Sequence, residues 1–210
     1  MSTKILAGYS ALQRGNKALE TQNYPEAIKL FNSAIKYYTD ASSKDNTATV
    51  KDIAIAEGNL SIAWNQTGLA ALTSQKLPEA INAFTEAVKA NSNSIVANYN
   101  LGHAYKAAGN FKEAIKSFEA TKQLDANNFE TLYNLAECYK ADGRNQEAIK
   151  TFQESFKCKT DTSNLLTVQS KIIESALLVK DPVELNKLAK AAFEYASKQS
   201  DDIQKAVKIS

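Results

Sequence analysis

The sequence Glu113-Ala114-Ile115-Lys116-Ser117-Phe118 contains a pattern, Glu-Ala-Ile with Phe three residues after the Ile, that occurs four times in the 210-residue chain. The alanines of the last three copies, Ala80, Ala114 and Ala148, are 34 residues apart, whereas Ala27 of the first copy precedes Ala80 by 53 residues. A fixed period of this length indicates stacked repeats. The sequence therefore predicts a repeat protein with 19 additional residues between its first and second copies.

The composition favours a soluble helical protein. Hydrophobic residues make up 44% of the chain and charged residues 23%, both ordinary values for a globular protein. Only 7 Gly and 3 Pro occur, and scarce helix breakers favour helices throughout. The net charge is +2, and the 25 basic and 23 acidic residues are interspersed. Because no basic stripe is present, we expect no nucleic-acid partner.

The compartment is inferred from the N-terminus, the uncharged stretches and the cysteines. The segment after Met1 is polar and helix-like, unlike the apolar core of a signal peptide. The uncharged stretch Asn59–Gln75 contains Asn and Gln and is too short to span a membrane. Cys138 and Cys158 form no Cys-x-x-Cys motif. We expect a cytoplasmic, reduced protein with no direct insertion into a membrane.

Apolar residues spaced three or four apart predict helices along the whole chain. One helix is predicted over residues 5–21, and the next begins after Asn23, with Glu26 as its capping-box partner. Residues 40–47 are polar and predict a loop. The additional residues follow this loop with few breakers, so we expect one long helix over about 46–74 that extends the first helix of the second repeat.

The 34-residue repeat resembles the tetratricopeptide repeat (TPR) family. In each regular copy a small residue stands at the eighth position, Ala at the twentieth and Phe at the twenty-fourth. The residues that carry this pattern are Trp64, Gly68, Ala80 and Phe84, then Leu101, Gly102, Tyr105, Ala114 and Phe118, then Leu135, Ala136, Tyr139, Ala148 and Phe152. The resemblance implies an all-α fold, a right-handed superhelix (α-solenoid) of antiparallel helix pairs with a concave groove.

On this register the chain is expected to be a single TPR-like domain over residues 1–200. Its parts are repeats at about 8–41, 61–94, 95–128 and 129–160, an insertion helix over 46–60, a degenerate fifth repeat or cap over 161–199, and a short tail over 200–210. Asp161-Thr162-Ser163 and Asp181-Pro182 are the helix starts that predict the last helix pair.

The resemblance also implies which residues line the groove, since the family lines it from fixed positions of each first helix. These residues are Asn16, Asn65, Gln66, Leu69, Tyr99, Asn100, His103, Lys106, Tyr133, Asn134, Glu137 and Lys140. Gln66, Asn100 and Asn134 are one period apart, so we expect their amides to lie in a row beside Tyr99 and Tyr133. Amides both donate and accept hydrogen bonds and could pair with an extended peptide backbone. Alternatively, asparagine is simply common at this position.

Few residues could support catalysis. The chain's one histidine, His103, falls at a groove position and is interpreted as a polar lining residue, because a catalytic or metal role would need partners that the sequence lacks. Cys138 is predicted to be a buried packing thiol. No phosphate-binding glycine loop or nucleophile motif is present. The sequence predicts no enzyme activity, no cofactor and no metal site.

A narrower resemblance is to the TPR domains of co-chaperones and large immunophilins. It is carried by Gly15-Asn16-Lys17-Ala18-Leu19 and by the long insertion. Those domains bind acidic chaperone tails through a carboxylate clamp of Lys, Asn, Asn, Lys and Arg. Here Asn16 alone matches, because the other clamp positions hold Leu12, Gln66, Val96 and Asn100. Without the cations, the charge-assisted bonds to a carboxylate are lost.

The sequence therefore predicts a non-catalytic adaptor or scaffold that binds a peptide or helix of another protein in its groove. The alternative is a permanent structural subunit of a large multiprotein assembly. A third interpretation is a co-chaperone that binds the tails of heat-shock chaperones. The groove is nearly neutral, with Lys106 and Lys140 partly offset by Glu137, so the partner is not expected to be strongly acidic.

Overall fold

The computed structural model describes residues 3–41, 47–158 and 162–179, together with Asn186 and Lys190. The chain divides into two compact units, an N-terminal unit, Met1–Leu124, and a C-terminal unit, Asp125–Ser210. The N-terminal unit contains six described helices: α1 (Thr3–Glu20), α2 (Tyr24–Ala41), α3 (Thr47–Thr73), α4 (Leu77–Ala90), α5 (Ile95–Ala107) and α6 (Phe111–Leu124). Consecutive helices pack as pairs, α1 on α2, α3 on α4 and α5 on α6.

The C-terminal unit contains three described helices: α7 (Phe129–Ala141), α8 (Asn145–Ser155) and α9 (Thr162–Val179). Helix α8 packs against both α7 and α9. The described residues of both units include no β-strand, and the predicted all-α, TPR-like class of fold is confirmed. Of the loop predicted over 40–47, residues 40, 41 and 47 are helical, and 42–46 lie outside the described residues. The tail over 200–210 and, apart from Asn186 and Lys190, the second helix of the last predicted pair lie outside them too.

The turns between paired helices share one backbone conformation, with a left-handed residue just after the first helix. Gly109 (φ 74°) and Gly143 (φ 80°) hold this place after α5 and α7, as expected for glycine ending a helix. After α1 and α3 the same place is taken by Gln22 (φ 59°) and Gln75 (φ 58°). The repeat therefore has the same turn even at Gln22 and Gln75, where a left-handed conformation is sterically unfavourable for a residue with a side chain.

Helix α3 is continuous over its 27 residues, where the sequence predicts a helix at about 46–74. Its added N-terminal turns pack on the first repeat, because Ala56, Leu60 and Ala63 are buried in one hydrophobic cluster with Phe31 and Tyr38 of α2. Burying these small and apolar side chains against α1 and α2 supplies the cover that the extra turns need.

Each regular repeat packs a phenylalanine of its second helix over a small residue of its first. Phe31, Phe84, Phe118 and Phe152 are all fully buried. A Cβ added at Gly68 would lie 2.5 Å from Cε1 of Phe84, and one added at Gly102 would lie 2.8 Å from Cε1 of Phe118. Both distances are shorter than a van der Waals contact. The two helices of each pair can therefore approach this closely only because glycine has no side chain.

Helix α3 offers a matched test of this packing, because it contains two glycines in different surroundings. Gly68→Ala is expected to lower the free energy of unfolding by about 1 to 2 kcal/mol, since the methyl group overlaps the Phe84 ring. At Gly58 an added Cβ meets nothing within 4 Å. Gly58→Ala should therefore raise stability by about 0.5 to 1 kcal/mol through helix propensity. Urea unfolding of both variants measures the difference, and equal effects would contradict the packing argument.

Candidate functional site

The candidate site in the N-terminal unit is the surface formed by the first helix of each pair, that is by α1, α3 and α5. We call this surface the groove face. Short connections reverse the chain between consecutive helices, at 74–76 and again at 91–94, so α3 and α5 run parallel. Helix α3 contacts both α1 and α5. It is therefore the central helix of the groove face.

Asparagine amides join the three helices across the groove face. The Asn59 amide of α3 donates to Oδ1 of Asn16 on α1 at 2.8 Å. The Asn100 amide of α5 donates to Oδ1 of Asn65 on α3, also at 2.8 Å. Both hydrogen bonds are partly buried. A hydrogen bond shielded from water contributes more to the stability of the fold than an exposed one. The predicted groove residues Asn16, Asn65 and Asn100 thus take part in hydrogen bonds that connect α1 to α3 and α3 to α5.

An aromatic cluster lies beside these amides at the α5–α6 pair. The Tyr99 ring lies 4.6 Å from His103 and 5.9 Å from Phe118, and His103 lies 5.4 Å from Phe118, all edge-on. Burial lowers the pKa of His103, and the neighbouring Lys106 lowers it further, so the imidazole is neutral at pH 7. Its buried Nε2 makes no hydrogen bond among the described residues. The neutral His103 ring therefore packs against Tyr99 and Phe118 as a third aromatic ring of the cluster.

The remaining predicted residues of the groove face are reachable from solvent. Gln66 and Lys106 are half-buried, and Leu69 is exposed. Exposed apolar residues that were not among the predicted peptide-binding residues lie on the same helices: Ile55 and Ile62 on α3, and Val96 on α5. Ile62 and Val96 occupy the second position of their repeats, a groove position, so the repeat register was a usable signal. Ile55 lies in the insertion, where no register applies.

In the C-terminal unit the predicted groove residues lie on α7. Tyr133 packs edge-on against Phe152 at 5.7 Å and stacks on Phe129 at 6.0 Å. Burial raises the pKa of Tyr133, with Glu137 as the next cause. Asn134 is buried, and its amide donates to the backbone carbonyl of Glu130 at 2.8 Å. The place of Tyr133 against Phe152 repeats that of Tyr99 against Phe118.

Two further predicted residues of α7 meet charges from α9. Lys140 Nζ lies 2.7 Å from Oε2 of Glu174, and Lys171 Nζ lies 3.3 Å from the same oxygen. Hydrogen bonds from Lys140 and then Lys171 lower the pKa of Glu174. Glu137 is the largest cause of the raised pKa of Lys171. Glu137 and Lys140 therefore help to hold α9 beside α7, and the paired residues Lys140 and Glu174 are 34 residues apart, which is one repeat period.

Neither cysteine is placed for chemistry. Cys138 is fully buried, as the sequence predicts. Burial raises the pKa of Cys158, and the nearby carboxylates of Asp125 and Glu130 raise it further, which disfavours the reactive thiolate. In the described part of the chain no three His, Cys, Asp or Glu side chains converge as metal ligands would. Nor does any helix there combine the length and apolarity needed to cross a bilayer.

The positions of a carboxylate clamp are not available for an acidic ligand. Leu12, at the place of the first clamp lysine, is buried in the hydrophobic cluster of the first repeat. Asn16, the one matching residue, accepts the hydrogen bond from Asn59. Val96 is exposed and apolar where a second lysine would stand. No cation is therefore present at the clamp positions of the groove face.

Helix pairs of this kind define the class of helical-repeat proteins, and comparison with known proteins identifies the repeat. Residues 93–161 match the tetratricopeptide repeat family. The resemblance seen in the repeat pattern is therefore confirmed over this segment. No curated protein matches the chain.

Solved structures share the fold over larger parts of the chain. The TPR domain of Arabidopsis OM64 aligns with a TM-score of 0.52 at 18% identity, covering 56% of this chain and 98% of that one. A crystal structure of MamA aligns with a TM-score of 0.52 at 18% identity, covering 89% of this chain and 96% of that one. The N-terminal domain of C. elegans stress-induced protein-1 aligns with a TM-score of 0.50 at 15% identity, covering 55% and 97%. At these identities the likeness concerns the fold.

Proposed function

We propose that this chain is a non-catalytic adaptor that binds a peptide or helix of another protein on its groove face. The observation that carries the proposal is the surface itself: α1, α3 and α5 present exposed apolar side chains between paired, uncharged amides. Exposed apolar residues grouped on one face are typical of protein interaction sites. The tetratricopeptide repeat match at 93–161 supports the same class of function.

The chemistry of the groove face selects against strongly charged ligands. Gln66, Leu69, Tyr99 and Asn100 are uncharged, and His103 is neutral because burial lowers its pKa. Lys106 is the one charged residue among the predicted groove positions of α1, α3 and α5. Binding to such a surface neutralises few full charges, so the affinity should change little between low and high salt. An acidic chaperone tail, which needs cations, is the least suitable partner. We propose a protein partner in the cytoplasm and no nucleic acid.

The test begins with affinity capture of a partner by the full chain, followed by calorimetric titration of the purified pair. Asn100→Ala should weaken binding about tenfold, because the Asn65 Oδ1 that loses its hydrogen bond can bond to water in the free protein but is covered without a donor when the partner binds. The matched control is Asn32→Ala on α2, whose exposed amide donates within its own helix to the carbonyl of Ile28. Both titrations are repeated at low and high salt.

Two results would contradict the proposal. If Asn100→Ala and Asn32→Ala both bind as the wild type does, the groove face is not the binding surface. If affinity falls steeply with salt, full charges dominate recognition, and a different surface carries the contact. Thermal unfolding of both variants separates a lost contact from a lost fold.

The second candidate function is a permanent subunit of a large assembly. The observation that favours it is apolar exposure away from the groove face, at Leu177 and Leu178 of α9 and at Tyr37 of α2. A permanent subunit covers such residues in its assembly. Size-exclusion of the protein from its native source distinguishes the two functions, because an adaptor elutes partly as the free chain and a subunit only in the complex.

A further inference from the structure

We infer that the groove face binds its partner as an amphipathic α-helix, docked lengthwise along α3 on a ridge formed by Ile55, Ile62 and Leu69. The inference rests on the proposed function and names the form of the partner and the contact surface. The three side chains are 51%, 49% and 37% exposed, and they follow one another at seven-residue intervals along the central helix of the groove face.

The asparagine pairs establish where the ridge points. Asn59 and Asn65 lie three residues before and after Ile62, about 60° to either side of it around the helix. Asn59 bonds to α1 and Asn65 bonds to α5. Ile62 therefore points between the two neighbouring helices, out of the groove face. Ile55 and Leu69, each seven residues from Ile62, share its direction to within about 20°.

Val96 widens the ridge at its centre. Asn100 of α5 bonds to Asn65 of α3, and the two helices run parallel. Val96 lies one turn before Asn100, and Ile62 lies nearly one turn before Asn65, so Val96 and Ile62 are at the same level of their helices. Val96 is 58% exposed. The middle of the ridge is therefore a pair of exposed β-branched side chains.

The spacing of the ridge suits a helix. Seven residues of α-helix advance about 10.5 Å, so the ridge presents apolar groups at this interval over about 21 Å. A partner helix with apolar residues at i, i+7 and i+14 has the same interval. An extended peptide repeats its side chains on one face every 6.6 to 6.8 Å or so, and most of them would miss the ridge.

Hydrogen bonding and charge favour the same partner. An extended peptide needs groups that pair with its backbone, and the amides of Asn59 and Asn100 each use one of their two N–H groups on another side chain of the groove face, which leaves fewer groups for such a peptide. A helix satisfies its own backbone groups and needs only apolar cover. Between Glu57 and Lys76 the chain has no charged residue. The contacting face of the partner helix should therefore be apolar and uncharged.

The experiment uses two synthetic peptides of about 18 residues, long enough to cover the ridge as a helix. Both contain five Leu, one Lys and one Glu among Ala, Gln and Ser, so their composition and net charge are the same. In the first, Lys and Glu four residues apart are joined as a lactam, and Leu stands at i, i+3, i+7, i+10 and i+14. In the second, Lys and Glu are not joined, and the five Leu stand at alternate positions. Binding to the full chain is measured by fluorescence anisotropy, and the contact is located by methyl NMR of Ile- and Val-labelled protein.

The stapled helix is expected to bind more tightly than the alternating peptide and to shift the methyl signals of Ile55, Ile62 and Val96. Ile62→Gln should weaken binding about tenfold, because it removes one aliphatic side chain from the centre of the contact. The matched control is Val50→Gln. Val50 lies on the same helix and is 60% exposed, but it points about 140° away from Ile55. Binding by this variant should equal that of the wild type.

The inference is overturned, and the proposed function kept, if the alternating peptide binds better, or if the captured partner loses affinity with Asn100→Ala but not with Ile62→Gln. It is likewise overturned if neither peptide shifts the ridge methyls. If the free chain self-associates and Ile62→Gln abolishes this, the occupant is a second copy and the inference is wrong. If neither Asn100→Ala nor Ile62→Gln affects the captured partner, the proposed function fails as well.

Discussion

Phe118→Ala is expected to lower the free energy of unfolding by about 3 to 5 kcal/mol, the range for a phenylalanine removed from a core. The Phe118 ring is fully buried and lies against the backbone at Gly102, where there is no room for a Cβ. A glycine cannot move a side chain into the space that the ring leaves. The cavity should therefore persist, which places the cost near the upper end of the range.

The same variant should loosen the groove face. Tyr99 and His103 both contact the edge or face of Phe118, at 5.9 and 5.4 Å between ring centroids. Without the ring contact to Phe118 the Tyr99 and His103 side chains are held less firmly, and their signals should broaden in NMR spectra. Urea unfolding measures the stability change.

Phe111→Ala is the control for this prediction. Phe111 belongs to the same helix but is only half-buried. Its removal should cost about 1 kcal/mol, because much of its surface is already in water. If the two variants unfold at the same urea concentration, the buried ring does not carry the stability assigned to it.

Ala114→Leu is expected to destabilise by about 1 to 3 kcal/mol, because it adds three carbons at a position with no space. Ala114 is fully buried on the face of α6 that packs on α5, and Ala80 and Ala148 are fully buried at the equivalent positions of α4 and α8. Small side chains at this point allow each pair of helices to approach. A leucine must either push the helices apart or leave its preferred rotamers.

The control for this overpacking is Ala107→Leu, at an exposed position in the last turn of α5. Alanine and leucine differ little in helix propensity, so this change should alter stability by less than about 0.5 kcal/mol. Thermal unfolding of the two variants is compared under the same conditions. A melting temperature of Ala114→Leu equal to that of the wild type would mean that the repeat register is wrong.

Much of the fold could be predicted from local sequence, because each element of the repeat carries its own signal. The Glu-Ala-Ile-x-x-Phe pattern predicts every second helix, and α2, α4, α6 and α8 all contain it. The turns at Gln22 and Gln75 were harder to predict, because these residues take a left-handed conformation although they are not glycine. There the packed helices on both sides impose the turn, and a single residue's preference does not reveal it.

The candidate site was less predictable, because a position in the repeat indicates which way a side chain points but does not indicate which residue it bonds to. The spacing placed Asn100 one period from Gln66, and the repeat offered no reason to pair Asn100 with Asn65 instead. Asn59 lies outside the motif, so its bond to Asn16 had no sequence signal. The row of Gln66, Asn100 and Asn134 as a ligand-binding ladder stays a prediction for the binding experiments to test.

The sequence by itself determined the period, the helix pairs and the close approach at Gly68, Gly102 and the repeated alanines, because these depend on side-chain size at fixed spacing. Only the tertiary structure decided which apolar residues of the insertion and the rest of α3 are buried and which are exposed. Helix α3 buries Ala56 and Leu60 against the first repeat and leaves Ile55 and Ile62 in water. All four residues are apolar, so composition cannot separate them. Their division follows from the rotation of α3 that its contacts with α1, α2 and α5 impose.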